Sequence, residues 1–188
     1  MIGNLAVGIQ DFVVPAPLGD FESIATVTVG SGAASSIDFT SISQDFQHLQ
    51  IRVLSRDNRA ATINSVFYRL NSDTGSNYAY HVLAGDGSSA SAGATTSASF
   101  TYGMVETSAS TSANIFTVAV IDILDYSNTN KYTTIRTLQG YDSNGSGNIR
   151  FNSGLWMNTA GVTDIKIFPD GAASFVQYSH FALYGIKG

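Results

Sequence analysis

The sequence is expected to fold as an all-β protein, a two-sheet β-sandwich of jelly-roll-like form with an extended N-terminal arm. Three observations lead there. Short apolar runs alternate with polar residues at a period of two, and Gly, Asn, Asp or Ser closes each run. No run sustains the 3.6-residue period over the ten or more residues that a helix needs. Roughly nine to eleven such runs occur without a fixed internal repeat, which favours a sandwich or jelly roll over a solenoid. With 188 residues the chain can bury one sizeable core, so residues 21–188 are expected to be a single domain and residues 1–20 the arm.

The arm is apolar, and Pro15 and Pro17 favour an extended conformation in it. It lacks a basic start and an unbroken hydrophobic run, so it reads neither as a secretion signal nor as a membrane span. Ile2, Leu5, Val7, Ile9, Phe12, Val13 and Val14 are its candidate partner-binding residues, too few to form a core of their own.

The first strand is expected at 22–29, where Ile24 falls on one face and Val27 and Val29 on the other, which implies a bulge. In 48–55, Leu49, Ile51 and Val53 share one face and Gln50 and Arg52 the other. Strands at 63–71 and 77–85 flank Asp73–Thr74–Gly75–Ser76, which has the chemistry of a hairpin turn. Residues 85–99 are small and polar and read as an exposed loop. Residues 114–124 are apolar on both faces, as expected of a central strand covered on both sides. Further strands follow at 131–142, 149–157 and 162–168, with one helical turn near 127–130, and an apolar strand containing Phe181, Leu183 and Ile186 ends the sequence.

Composition narrows function. Only 12% of residues are charged, about half the usual share, while nine Tyr, eleven Phe and one Trp are present. Interface cores share that bias, being poor in Lys, Glu and Asp and rich in aromatics. The net charge of −5 argues against nucleic acid as a main partner. Arg52, Arg56 and Arg59 form the one basic cluster, beside Asp57, and read as a solvated or salt-bridged strand end. No cysteine is present, so disulfides and thiolate metal sites are excluded.

No catalytic constellation emerges, and the chain is expected not to be an enzyme. His48, His81 and His180 sit in expected strands, no G-x-S-x-G elbow occurs, and Ser88 lies in the polar stretch without a supporting base. Asp122 and Asp125 read as turn-capping acids rather than a glycosidase pair. Asp142, Asn144 and Asn148 alternate oxygens around glycines, as calcium loops do, but lack the distal bidentate Glu and also suit a hairpin turn. Neither cofactor nor metal is assigned. Tyr78, Tyr80, Tyr102, Tyr126, Tyr132, Tyr141 and Trp156 suit either sugar stacking or subunit contacts.

Several longer phrases carry a resemblance: residues 39–56, 69–89, 122–147, 153–167, and the ending QYSHFALYGIKG at 177–188. Together they resemble a family of virion structural proteins of tailed bacteriophages, including phages of cyanobacteria. The resemblance covers about residues 21–188, and FALYGIKG is its most specific mark. It implies a jelly-roll structural protein of the particle with no catalytic residues. The expectation is therefore a capsid decoration or cement protein on the virion surface. Its expected partners are the major capsid protein, gripped by the arm, and copies of itself, as a homotrimer by symmetry habit. A tail or tail-fibre component and a carbohydrate-binding host-attachment module are the alternatives.

Overall fold

The computed structural model describes residues 19–188, and the arm residues Ile2 to Val14 lie outside them. Twelve strands follow in chain order: β1 (Phe21–Thr28), β2 (Ile37–Phe39), β3 (His48–Ser55), β4 (Ile63–Leu70), β5 (Tyr78–Gly85), β6 (Ala90–Ala98), β7 (Thr101–Thr107), β8 (Thr117–Leu124), β9 (Thr133–Asp142), β10 (Gly147–Trp156), β11 (Ile165–Pro169) and β12 (His180–Ile186). They form two antiparallel sheets, one ordered β1-β12-β3-β8-β9-β10-β5-β6 and the other β2-β11-β4-β7.

The pairing explains the shape. β1 pairs with β12, β2 with β11, β3 with β8 and β4 with β7, which is one long hairpin wrapped around a core. That is a jelly roll. The two remaining hairpins, β5–β6 and β9–β10, extend the sheet beyond β8, so the larger sheet has twice the strands of the smaller.

The alternation seen in the sequence places the core. Leu49, Ile51 and Val53 of β3, Ile121 and Ile123 of β8, and Phe181 and Leu183 of β12 point inward from the large sheet. Val66, Tyr68, Leu70, Met104, Ile165 and Ile167 meet them from the small one. Each such side chain contributes about 1.5–3 kcal/mol on full burial. The bulge expected in the first strand lies between Ser23 and Ala25.

Four expectations need correction. Residues 90–98 are not loop but strand, because backbone pairing to β5 carries β6 although its side chains are too small to show a pattern. Asp73–Ser76 does not close a hairpin: β4 and β5 lie in different sheets, so this segment is a corner between them. β8 is central in its sheet but covered on one face only, with Val118, Val120 and Leu124 facing outward. No helix occurs among the described residues. Near 127–130 the chain makes a turn, closed by Asn128 N donating to Asp125 O at 3.0 Å.

Candidate interaction face

The outer face of the large sheet is the site with functional content, and the strand registers define it row by row. One transverse row runs Leu54, Val118, Gly140, Ile149, Gly85, Ala90 across β3, β8, β9, β10, β5 and β6. The next runs Arg52, Val120, Leu138, Phe151, Leu83, Ala92. Seven large apolar side chains in these rows are 38% to 60% exposed. Isolated exposed apolar residues are ordinary on a protein surface, but a contiguous patch of this kind marks an interaction surface.

Relief on the face comes from glycine. Ile149 stands between Gly140 and Gly85, and neither neighbour has a side chain to flank it. A Cβ at Gly85 would meet little besides Ile149 Cγ2 at 3.8 Å. The result is an apolar ridge with a shallow groove of about 310 Å³ on each side, one against Val118, Val120 and Leu138, the other against Leu83 and Phe151.

The third row is polar and internally paired. Asp122 Oδ1 accepts from Gln50 Nε2 at 3.0 Å, and Asp122 Oδ2 accepts from Arg136 Nη2 at 2.8 Å. Arg52 Nε donates to Gln50 Oε1 at 3.2 Å while its guanidinium lies over the Phe21 and Tyr184 rings, which stack at 4.8 Å. An apolar centre with a hydrogen-bonded polar border is the anatomy of protein–protein interfaces. The signal for this face was present in residues 114–124, whose apolarity on both sides reads identically for a buried strand and for an interface strand.

The other residues singled out by sequence do not converge. Arg56 gives its guanidinium to the carbonyls of Ala109, Thr111, Ser112 and Ile115, and Arg59 pairs with Asp170 at 3.1 Å, so the basic cluster presents no common anion site. His48 Nδ1 accepts from Asp125 N at 2.9 Å, His180 Nδ1 bonds Thr28 Oγ1 at 2.9 Å, and His81 is exposed on β5. Asp125 bonds Lys131 and Gln47, and these bonds hold its carboxyl below the usual range. Ser88 donates its N–H and its hydroxyl to Asp86 Oδ1, both at 2.9 Å, in the β5–β6 turn.

The calcium-like stretch is the β9–β10 hairpin. Asp142 Oδ1 accepts from Asn144 N at 2.7 Å, and Asn148 Oδ1 accepts from Arg150 Nε at 2.8 Å. Asp142 thus serves the turn and Asn148 the Arg150 side chain. Among the expected sugar-stacking rings, Tyr78, Tyr126 and Trp156 are buried in the core, Tyr80 packs on Tyr102, and Tyr132 is the one that is more than half exposed.

A second feature had no signature in the sequence. Asp57 and Glu106 are both fully buried at one end of the sandwich, near Ser55 and Asn64. Asp57 accepts from Asn64 Nδ2 at 2.5 Å and from Arg59 N at 3.1 Å. The Ser55 hydroxyl and the Asp57 carboxyl are the polar neighbours of Glu106, though neither meets hydrogen-bonding geometry with it. Burial pushes the Glu106 carboxyl well above its ordinary pKa; the Ser55 hydroxyl opposes this and the Asp57 charge reinforces it.

Comparison with protein-family models, with curated proteins and with solved structures found no match to this chain.

Proposed function

We propose that the protein is a structural subunit of a virus particle, a decoration or cement protein of a tailed-bacteriophage head that joins neighbouring subunits and stabilises the shell. The observation that carries this reading is the contiguous apolar outer face, a surface whose exposure to water is unfavourable until another protein covers it. The jelly roll is compatible with it, since the fold serves viral coat proteins, but it serves lectins and enzymes equally and does not decide function. Weak surface charge and the phrases that resemble phage virion proteins support the same reading.

The mechanism is mass action. A subunit that binds the assembled shell and not its dissociated parts lowers the free energy of the shell by RT ln(1 + [L]/Kd), about 2.7 kcal/mol at a hundredfold excess over Kd. In this scheme the arm residues Ile2, Leu5, Val7, Ile9, Phe12, Val13 and Val14 grip the major capsid protein.

Electron cryomicroscopy of the particle, paired with binding of an arm-deleted chain lacking residues 1–17, tests the reading. Density on the head lattice and loss of binding on deletion are expected. A chain found at the tail transfers the proposal to a tail or fibre component. Absence from the particle, together with capture of soluble glycans, replaces it with host-surface attachment.

A further inference from the structure

Shape, charge and size together indicate what covers the outer face. A ridge between two grooves is its own complement. Consider a two-fold axis lying in the contact plane, parallel to the strands and passing between Ile149 and Gly140, which are register partners. Rotation about it seats the Ile149 ridge of one copy in the Gly140 groove of the other, and lays Phe151 of each copy over Leu138 of its mate. Two sheets stacked this way stay close to aligned, the packing that sheet faces favour.

Charge permits the pairing. The chain carries a net charge of −5, yet the two apolar rows contain no acidic residue; of the acids that border them, Asp122 is bound to Arg136 and Gln50, while Asp86 and Asp142 accept the turn amides of Ser88, Ser89 and Asn144. Arg52, the single charge in these rows, is drawn over the Phe21 and Tyr184 rings. Two copies therefore meet through rows that hold no acid, with the carboxylates kept to the border.

Size sets the strength. The six strands from β3 to β6 span about 24 Å, five spacings of about 4.8 Å, and the rows from Leu54 to Leu124 cover about 20 Å along the strands. That gives about 500 Å² per copy and about 1,000 Å² in total, the lower limit of specific interfaces. We propose that this face closes on the same face of a second copy, forming a reversible two-fold dimer in place of the trimer expected from symmetry habit. The dimer is a property of the chain in solution and does not depend on a role in a particle.

Sedimentation velocity of the full chain between about 1 and about 100 µM tests this, a range suited to the weak association found at the low end of interface sizes. The expected result is a monomer–dimer equilibrium that Leu138→Asp shifts to monomer at all these concentrations, with circular dichroism unchanged because Leu138 is a surface residue. Geometry has its own readout, because the chain contains no cysteine and only introduced thiols react. A mixture of Ile149→Cys and Gly140→Cys chains, treated with a short bismaleimide, should cross-link faster than either variant alone. A wild-type monomer throughout, a trimer, a dimer that Leu138→Asp leaves intact, or equal cross-linking in all three samples overturns the proposal.

Discussion

The indole N–H of Trp156 donates to Asp73 Oδ2 at 2.7 Å, tying one of the largest buried side chains to the corner where the chain passes from the small sheet to the large one. Asp73 also accepts from Asn77 Nδ2 at 2.9 Å and from Gly75 N at 2.8 Å. Burial alone would raise its pKa, but the bonds from Trp156, Asn77 and Gly75 outweigh it and hold the carboxyl below its ordinary value. A carboxyl with a depressed folded-state pKa stabilises the fold above its unfolded value, near 3.8, and that stabilisation is lost as pH falls through the folded value. Asp73→Ala should cost about 1–2 kcal/mol at neutral pH, a moderate figure because the carboxylate is partly open to solvent. Urea denaturation at pH 7 and pH 3 checks it: the gap between wild type and variant should narrow at the lower pH.

Glu106 predicts the opposite slope. Its folded-state pKa is raised, so the native state binds more protons than the unfolded chain between the unfolded value, near 4.5, and the folded one. Stability from this group is fully present below that unfolded value and is lost as pH rises toward the folded one. Glu106→Gln keeps the shape and removes the titration, so it should be more stable than wild type at pH 8 and show a flatter profile from pH 5 to pH 8. Identical profiles for the two proteins would show that Glu106 does not titrate as its burial dictates.

The parts of the fold that were legible in the sequence are those where side-chain pattern and burial coincide. β3 could be read because Leu49, Ile51 and Val53 alternate with polar neighbours, and the first-strand bulge because Ile24 and Val27 break the alternation. β6 could not, since Ala, Ser, Gly and Thr offer no contrast in hydropathy and its pairing is made by the backbone. Turn chemistry at Asp73–Ser76 specified a reversal but not which sheet the next strand would join, a choice made by tertiary packing. The acidic pair at Asp57 and Glu106 left no trace because its members lie 49 positions apart in the chain. The apolar face was visible only in part: residues 114–124, which include Val118 and Val120, read as apolar on both faces, whereas Leu138, Ile149, Phe151 and Leu83 join them through register.

Gly103 is required by the packing of Tyr68. A Cβ at Gly103 would clash with the buried Tyr68 ring, with Cζ its nearest atom, and the Gly103 carbonyl also accepts from Asn152 Nδ2 at 2.7 Å. Gly103→Ala should cost about 1–3 kcal/mol through overpacking, lowering Tm by about 3–10 °C in a domain of this size. Gly93 on β6 is the control, since nothing lies within 4 Å of a Cβ built there. Ala at that position should shift Tm by less than about 2 °C, and equal losses at both sites would assign the effect to glycine as such rather than to the ring.

Arg56 holds a loop that side-chain packing alone does not. Its guanidinium donates from Nη1 to the carbonyls of Ser112 and Ile115, both at 3.0 Å, and from Nη2 to Thr111 O at 2.8 Å and Ala109 O at 3.4 Å. These carbonyls belong to the connection between β7 and β8, and the planar fork reaches all four from a single position. Arg56→Lys keeps the charge but replaces the fork with a compact ammonium that has three donors. It should recover less than half of the roughly 2–3 kcal/mol lost in Arg56→Ala. Hydrogen exchange locates the effect: amides at 107–117 should lose protection in both variants while those of β3 and β12 keep theirs. Full recovery by Lys would mean that charge, not the fork, orders this connection.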